Sequence, residues 1–198
     1  MKKIVFAGGT HCGKTTLVEY FAKEGYGTVP ESGIVIINEC IERVGWDNYR
    51  SWRLAHQDIF VQQMLEKQVR FEEDALALKK SPYVFYDRGI IDYFSMAKHL
   101  NVSFDEKFAE YARTSRYDAV FLCEPLSHFD SREKAGRTFT RKDSTLLTTL
   151  AGSLYREFGY EPIHLPDIPI PERVAIIKRT IAELFPNDPL RPRMSLPE

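Results

Sequence analysis

The stretch from Lys2 to Phe21, KKIVFAGGTHCGKTTLVEYF, limits the possible folds more than any other part of the chain. Ile4, Val5 and Phe6 read as a short buried strand, and Leu17, Val18, Phe21 and Ala22 recur at helical spacing. Between these segments Gly8, Gly13, Lys14 and Thr15 stand at the G-x-x-x-x-G-K-[ST] spacing. Glycine admits backbone conformations that other residues resist. Successive N–H groups can therefore converge on phosphate oxygens at the positive end of the following helix. On this reading Gly8, Gly9, Thr10, His11, Cys12, Gly13, Lys14, Thr15 and Thr16 line a nucleotide cradle. Lys14 reaches the β- and γ-phosphates, and the Thr15 hydroxyl ligates Mg²⁺. A glycine turn that only joined a strand to a helix would need neither Lys14 nor Thr15 at those offsets.

A chain of 198 residues suits one domain with room for a lid, and it can bury a sizeable core. Its net charge of −1 gives no reason to expect non-specific attraction to nucleic acid or to an anionic membrane. Cys12, Cys40 and Cys123 show no paired spacing, so neither a disulfide scaffold nor a zinc site is indicated, and a reducing cytoplasm fits best. The apolar run after Lys2 and Lys3 is too short for a signal peptide, and nothing reaches transmembrane length.

Gly25 and Gly27 stop the first helix, and Gly27 to Val29 form a second strand leading into Pro30-Glu31-Ser32-Gly33. Glu31 thus lies just past a strand end, where open α/β sheets place ligands. An acid in the first turn of a helix is the equally available reading. Ile34 to Val44 reads as a helix, Gly45 to Tyr49 as a loop, and Ser51 to Lys80 as one long helix. Phe60, Met64, Phe71, Ala75 and Leu78 make its core stripe. Val61, Leu65, Gln68 and Glu72 make a second stripe that ends in polar groups. Such groups need partners if they turn inward; Gln68 and Glu72 could bond a substrate, but bordering solvent is the commoner arrangement.

Tyr83 to Tyr86 reads as a strand that ends in Asp87-Arg88-Gly89. An acid at such a strand end, downstream of a phosphate turn, can hold Mg²⁺ beside a nucleotide. Arg88 beside it offers a fixed charge for phosphate, and a salt bridge in a surface turn is the alternative. Ile90 to Leu100 and Phe104 to Thr114 read as helices, and Asp118 to Cys123 as a strand. Arg132, Lys134, Arg137, Arg141 and Lys142 crowd residues 127–142, either as a solvated charge run or as an arginine-bearing lid over the phosphates. Arg137 and Arg141 share a face if that segment is helical. Ser144 to Phe158, Tyr160 to Leu165 and Pro171 to Phe185 complete the pattern as helix, strand and helix. Residues 186–198 read as a loose tail after a domain of residues 1–185.

Alternating strands and helices behind a phosphate turn predict an α/β fold with a mostly parallel sheet covered on both faces. GGTHCGKTTL, the PES after the second strand, FYDRGIIDY and the basic segment before REFGYEPIHLP together resemble the P-loop NTPase group of AAA and kinase-like domains. That group contains the ribosylnicotinamide kinase domain of bacterial NAD-biosynthesis regulators and related small ATP- or GTP-binding proteins. The likeness runs from Lys2 to Phe185. It implies a five-stranded parallel sheet of nucleoside-kinase type, with ATP and Mg²⁺ bound and a nucleoside-like acceptor. It makes Glu31 the acid that deprotonates the substrate hydroxyl and Asp87 the magnesium-side acid. Arg88 would face the transferred phosphoryl group, and Arg137 would be the lid arginine. One departure stands out: relatives often carry arginine soon after the PES segment, where this chain has Gly33-Ile34-Val35.

A kinase of this kind and a nucleotide-dependent switch acting through a protein partner both fit the phosphate turn. They differ in whether Glu31 serves an acceptor. The guanine-reading N-K-x-D sequence is absent, which favours ATP over GTP. Oligomeric state is not encoded in any legible pattern.

Overall fold

Strand residues alternate faces, and the two cores of the molecule follow from that alternation. In β1 (Lys2–Ala7) Ile4 and Phe6 point into one apolar cluster, while Val5 and Ala7 point into the other. The same division holds in β3 (Tyr83–Asp87) and β4 (Ala119–Cys123), all ten of whose residues are buried, as a sheet covered on both faces requires. With the short strands β2 (Gly27–Val29) and β5 (Ile163–Leu165) they form one five-stranded parallel sheet in the order β2-β3-β1-β4-β5. The computed structural model describes residues 1–78, 81–127, 139–188 and 190, except the side chains of 76–78.

Helices α1 (Lys14–Lys23) and α8 (Ile170–Leu184) cover the face that carries Phe6 and Phe85. There Phe21 stacks on Phe85 with centroids 3.9 Å apart and planes 7° from parallel. The opposite face carries α2 (Ser32–Val44), α3 (Trp46–Ala55), α4 (Gln57–Leu78), α5 (Ile90–Leu100), α6 (Glu106–Thr114) and α7 (Arg141–Glu157). Each buried aromatic on either face contributes on the order of 1.5–3 kcal/mol of transfer free energy. Because β1 and β3 are neighbours, with Phe6 in register with Asp87, the turn after β1 and the acid ending β3 meet at the C-terminal ends of the strands.

Several boundaries differ from the sequence expectation. The segment expected as a loop at Gly45 to Tyr49 is the start of α3, and the expected single helix is two, broken at His56 (φ −131°, ψ 45°). No glycine or proline marks that break; the His56 ring instead stacks on Trp52 and its Nδ1 lies 2.8 Å from the Trp52 carbonyl. Helix α7 starts three residues earlier than expected because Thr140 and Asp143 form a capping box: Asp143 N–H donates to Thr140 Oγ1 at 3.2 Å and Thr140 N–H to Asp143 Oδ2 at 2.8 Å. Strand β5 is shorter than expected, since Gly159 (φ +77°) ends α7 and Tyr160 N–H turns back to the Tyr155 carbonyl. The first residues of the expected tail are seated: Tyr83 Oη donates to the Asp188 carbonyl, and Leu190 packs on the α1/α8 core. Residues 128–138, most of the expected lid, lie outside the described residues.

Candidate active site

The turn after β1 runs through two glycines in left-handed or extended positive φ, Gly8 (+125°) and Gly13 (+74°), with His11 also left-handed at +56°. The glycines at its start are required by close neighbours. A Cβ on Gly9 would lie 2.2 Å from the Ser144 carbonyl oxygen, and one on Gly8 would lie 2.7 Å from that of Cys123. Around this turn the protein supplies a dense set of partners. Gly8 N–H donates to Asp92 Oδ1 at 2.8 Å and Gly9 N–H to Thr148 Oγ1 at 2.8 Å. Ser144 Oγ donates to the Thr10 carbonyl, Leu126 N–H to the His11 carbonyl at 3.2 Å, and Arg173 Nη1 to the Cys12 carbonyl at 2.6 Å. Lys14, buried, places its ammonium on the Gly9 carbonyl. Thr15 and Thr16, in the first turn of α1, are exposed.

Asp87 ends β3 beside Thr15, whose hydroxyl donates to Asp87 Oδ2 at 2.6 Å. The other carboxylate oxygen, Oδ1, is buried with no hydrogen-bond partner among the described residues. Burial, and then the negative charge of Glu31, push the Asp87 carboxyl up to about 6, against the pull of Lys14. A hydroxyl and an acid with an orphaned oxygen side by side are the hard oxygen donors that Mg²⁺ prefers, so the residues fit that ion. No cluster of three or more His, Cys, Asp or Glu able to hold a metal unaided occurs among the described residues, and the phosphates themselves would complete such a site.

Arg88 follows with φ +77°, a left-handed backbone that costs a non-glycine residue roughly 1–2 kcal/mol. The guanidinium over-determines that conformation. Its Nε donates to Glu31 Oε1 at 3.1 Å, its Nη1 to the Gly8 carbonyl and its Nη2 to the Gly9 carbonyl at 3.2 Å. Asp92 Oδ1 lies 3.7 Å from Nη1. Arg88 therefore clamps the opening of the phosphate turn and ties it to Glu31. Glu31 itself is the N-terminal cap residue of α2, at the end of β2, with its side chain 11% exposed. Glu31 lies just past the strand end, as expected, and precedes the first turn of α2, which holds no acid, rather than standing in it. Gly89 completes the DRG triplet because a Cβ there would fall 2.7 Å from the hydroxyls of both Tyr117 and Tyr155.

Gln68 and Glu72 do not border solvent as expected: both are fully buried. Gln68 Nε2 donates to Glu72 Oε1 at 3.0 Å and to the Arg88 carbonyl at 3.2 Å, and Tyr117 Oη donates to Glu72 Oε1 at 2.7 Å. The pattern concealed this because a carboxylate at zero exposure needs partners distant in the chain, here Tyr117 and Tyr111 from beyond β3. Burial, only partly offset by these hydrogen bonds, raises the Glu72 carboxyl to about 7. Between the ordinary carboxylate value of 4.5 and about 7 the folded protein holds this proton and the unfolded chain does not. Stability from this group therefore falls as pH rises through that window. Glu72→Gln removes the titration, so its melting temperature relative to the parent should climb from pH 5 to pH 8. The gain should reach at most on the order of 2–3 kcal/mol. Asp87 has the same sign and is common to both proteins, so it drops out of the difference. A gap that stays flat across that range would show that Glu72 is ionised throughout.

Four contributors went unread in the sequence: Asp92, Ser144, Thr148 and Arg173, all buried and all bonded to the phosphate turn. Asp92 lay inside the FYDRGIIDY stretch. Ser144 and Thr148 are four apart, which puts them on one face of α7, but no local signal says what that face meets. Arg53 joins Lys14, Arg88 and Arg173 as a buried cation among the described residues, and its guanidinium lies over the rings of Phe60 (4.9 Å) and Phe139 (5.1 Å). Of the expected lid pair, Arg141 is an exposed first residue of α7, and Arg137 lies outside the described residues. All three cysteines are free and buried. Among the described residues no helix is long and apolar enough to cross a membrane.

A parallel sheet in this order, with a glycine turn leading from its central strand into a helix and an acid ending the neighbouring strand, defines a P-loop NTPase with the fold of nucleoside kinases. Residues 3–173 match the AAA domain family, and the chain belongs to it. Among solved structures, deoxyadenosine kinase from M. mycoides with bound dATP is similar at TM-score 0.54 and 14% identity, covering 90% of this chain and 98% of that one. At that identity the likeness speaks for the fold. No curated protein matches the sequence.

Proposed function

We propose that the protein transfers the γ-phosphoryl group of ATP to a hydroxyl of a small, nucleoside-like acceptor. The observation that carries this reading is the placing of Glu31. A nearly buried carboxylate just past a strand end, 3.1 Å from Arg88 Nε and joined through Arg88 to the phosphate turn, would be available to take the proton of an acceptor hydroxyl. A protein that only bound nucleotide would need no such base beside the acid that orders Mg²⁺; whether the base serves an acceptor hydroxyl or a water is what the acceptor dependence of ADP release decides.

Catalysis of this kind is positioning and charge neutralisation. Residues 8–16 would hold the phosphates, Lys14 would reach the β- and γ-oxygens, and Arg88 would face the transferred group while keeping Glu31 oriented. Thr15 and Asp87 would hold Mg²⁺, which when bound neutralises phosphate charge. Arg137 and Arg141 would close from the lid side. Gln68, with a buried carbonyl oxygen that no described residue pairs, would meet the acceptor, supported by Glu72 at 3.0 Å. A nucleoside-like acceptor agrees with the similar fold of a deoxyadenosine kinase.

The test is ADP release from Mg-ATP measured against a panel of nucleosides and vitamin-like alcohols, with GTP in parallel. Release that depends on an acceptor, with a phosphorylated product seen by mass spectrometry, is the expected result. Slow release indifferent to every acceptor would replace this reading with that of an ATPase or switch.

A further inference from the structure

In a trans peptide the carbonyl of one residue and the N–H of the next point in opposite directions, and the described chain contains no cis peptide. Fixing a carbonyl on one side of a loop therefore aims the next amide at the other side. Three consecutive carbonyls of the phosphate turn are fixed in this way, each by a different element. Thr10 is held by Ser144 of α7, His11 by Leu126 N–H after β4, and Cys12 by Arg173 of α8. The amides of His11, Cys12 and Gly13 are thereby turned away from these three elements. The left-handed residues His11 and Gly13, two apart, are the backbone pattern that makes successive N–H groups converge on an anion.

Arg173 is the member of this set with most at stake. It is fully buried, bridges the Cys12 carbonyl at 2.6 Å and the Glu124 carbonyl at 3.4 Å, and its Nε has no hydrogen-bond partner among the described residues. Its Nη1 lies 3.3 Å from where a Gly13 Cβ would sit. Burying a guanidinium with one N–H unpaired costs free energy. A purely apolar contact between α8 and the sheet would avoid that cost. We propose that Arg173 is a positioning residue for nucleotide binding, setting the Cys12–Gly13 peptide so that the turn presents its amides to phosphate. This rests on the P-loop reading of residues 8–16.

The experiment is calorimetry of tripolyphosphate and of Mg-ATP with the intact protein, Arg173→Gln and Arg173→Lys, well below each melting temperature. If Arg173 sets the peptide, Arg173→Gln weakens both ligands by roughly tenfold, as expected when one charge-assisted hydrogen bond is removed. Arg173→Lys, with the charge but without the two-carbonyl bridge, recovers only part of that. A merely structural role would lower the melting temperature and the fraction of binding-competent protein while leaving the dissociation constant of that fraction unchanged, and that outcome overturns the proposal. Full recovery by lysine overturns it too, since bare charge would then suffice. Should Arg173→Gln not fold, Ser144→Ala removes the clamp on the Thr10 carbonyl and must weaken tripolyphosphate in the same sense; no change there counts against the proposal. If the unsubstituted protein binds neither ligand, the nucleotide reading itself is what fails.

Discussion

Replacing Lys14 by methionine should weaken Mg-ATP by roughly 10- to 150-fold, the range for losing a charge-assisted hydrogen bond of about 1.5–3 kcal/mol. Turnover should fall further, by about 10²–10³, as when a donor to developing transition-state charge is removed. Methionine is chosen because it keeps the apolar stem. The side chain is only 4% exposed, so alanine would add a cavity to the loss of charge. Among the described residues the ammonium is the one lysine charge enclosed by the turn, and it also opposes the upward push on Asp87. Removing it should therefore raise the Asp87 carboxyl further and move Mg²⁺-dependent binding to higher pH. Titration calorimetry at pH 6 and pH 8 reads both effects. Equal dissociation constants for parent and variant at both values would end the claim that this turn grips a triphosphate.

What was legible in the sequence is what repeats locally. The Lys2 to Phe21 stretch exposed a strand, a turn and a helix because each carries its own periodicity, and buried strands such as Tyr83–Asp87 and Ala119–Cys123 announce themselves by continuous apolar runs. Asp87 could be placed because it ends such a run. What stayed hidden is what tertiary structure brings in from afar. Ser144 and Thr148 meet the turn across separations of 134 and 139 residues, and Arg173 meets it across 161. A buried arginine looks, in sequence, like any surface arginine of an amphipathic helix. Gln68 and Glu72 failed for the related reason that polar residues on an apolar stripe are ordinarily at its border. Here Tyr117 and the Arg88 carbonyl meet them inside. The break at His56 failed because a side chain ring and a carbonyl, rather than glycine or proline, mark it.

Glu31→Gln should lose phosphoryl transfer by roughly 10²–10⁴ while binding Mg-ATP at least as well as the parent. The loss is the usual contribution of a general base, since an amide of the same shape cannot accept the acceptor's proton. Retained binding follows from the surroundings. Arg88 keeps the Gly8 and Gly9 carbonyls and Asp92 when Glu31 becomes neutral, so the phosphate turn keeps its clamp. Neutralising Glu31 also removes one of the two influences that push Asp87 up to about 6. Asp87 then ionises at lower pH, and because metal binding needs the carboxylate form, Mg-ATP affinity between pH 5 and 6 should hold up better in the variant than in the parent. A general loss of structure cannot produce that pairing of a dead transfer step with stronger acid-side binding. Transfer at an undiminished rate would remove Glu31 as the base, and ATP binding that fell in step with transfer would make it a structural member of the turn.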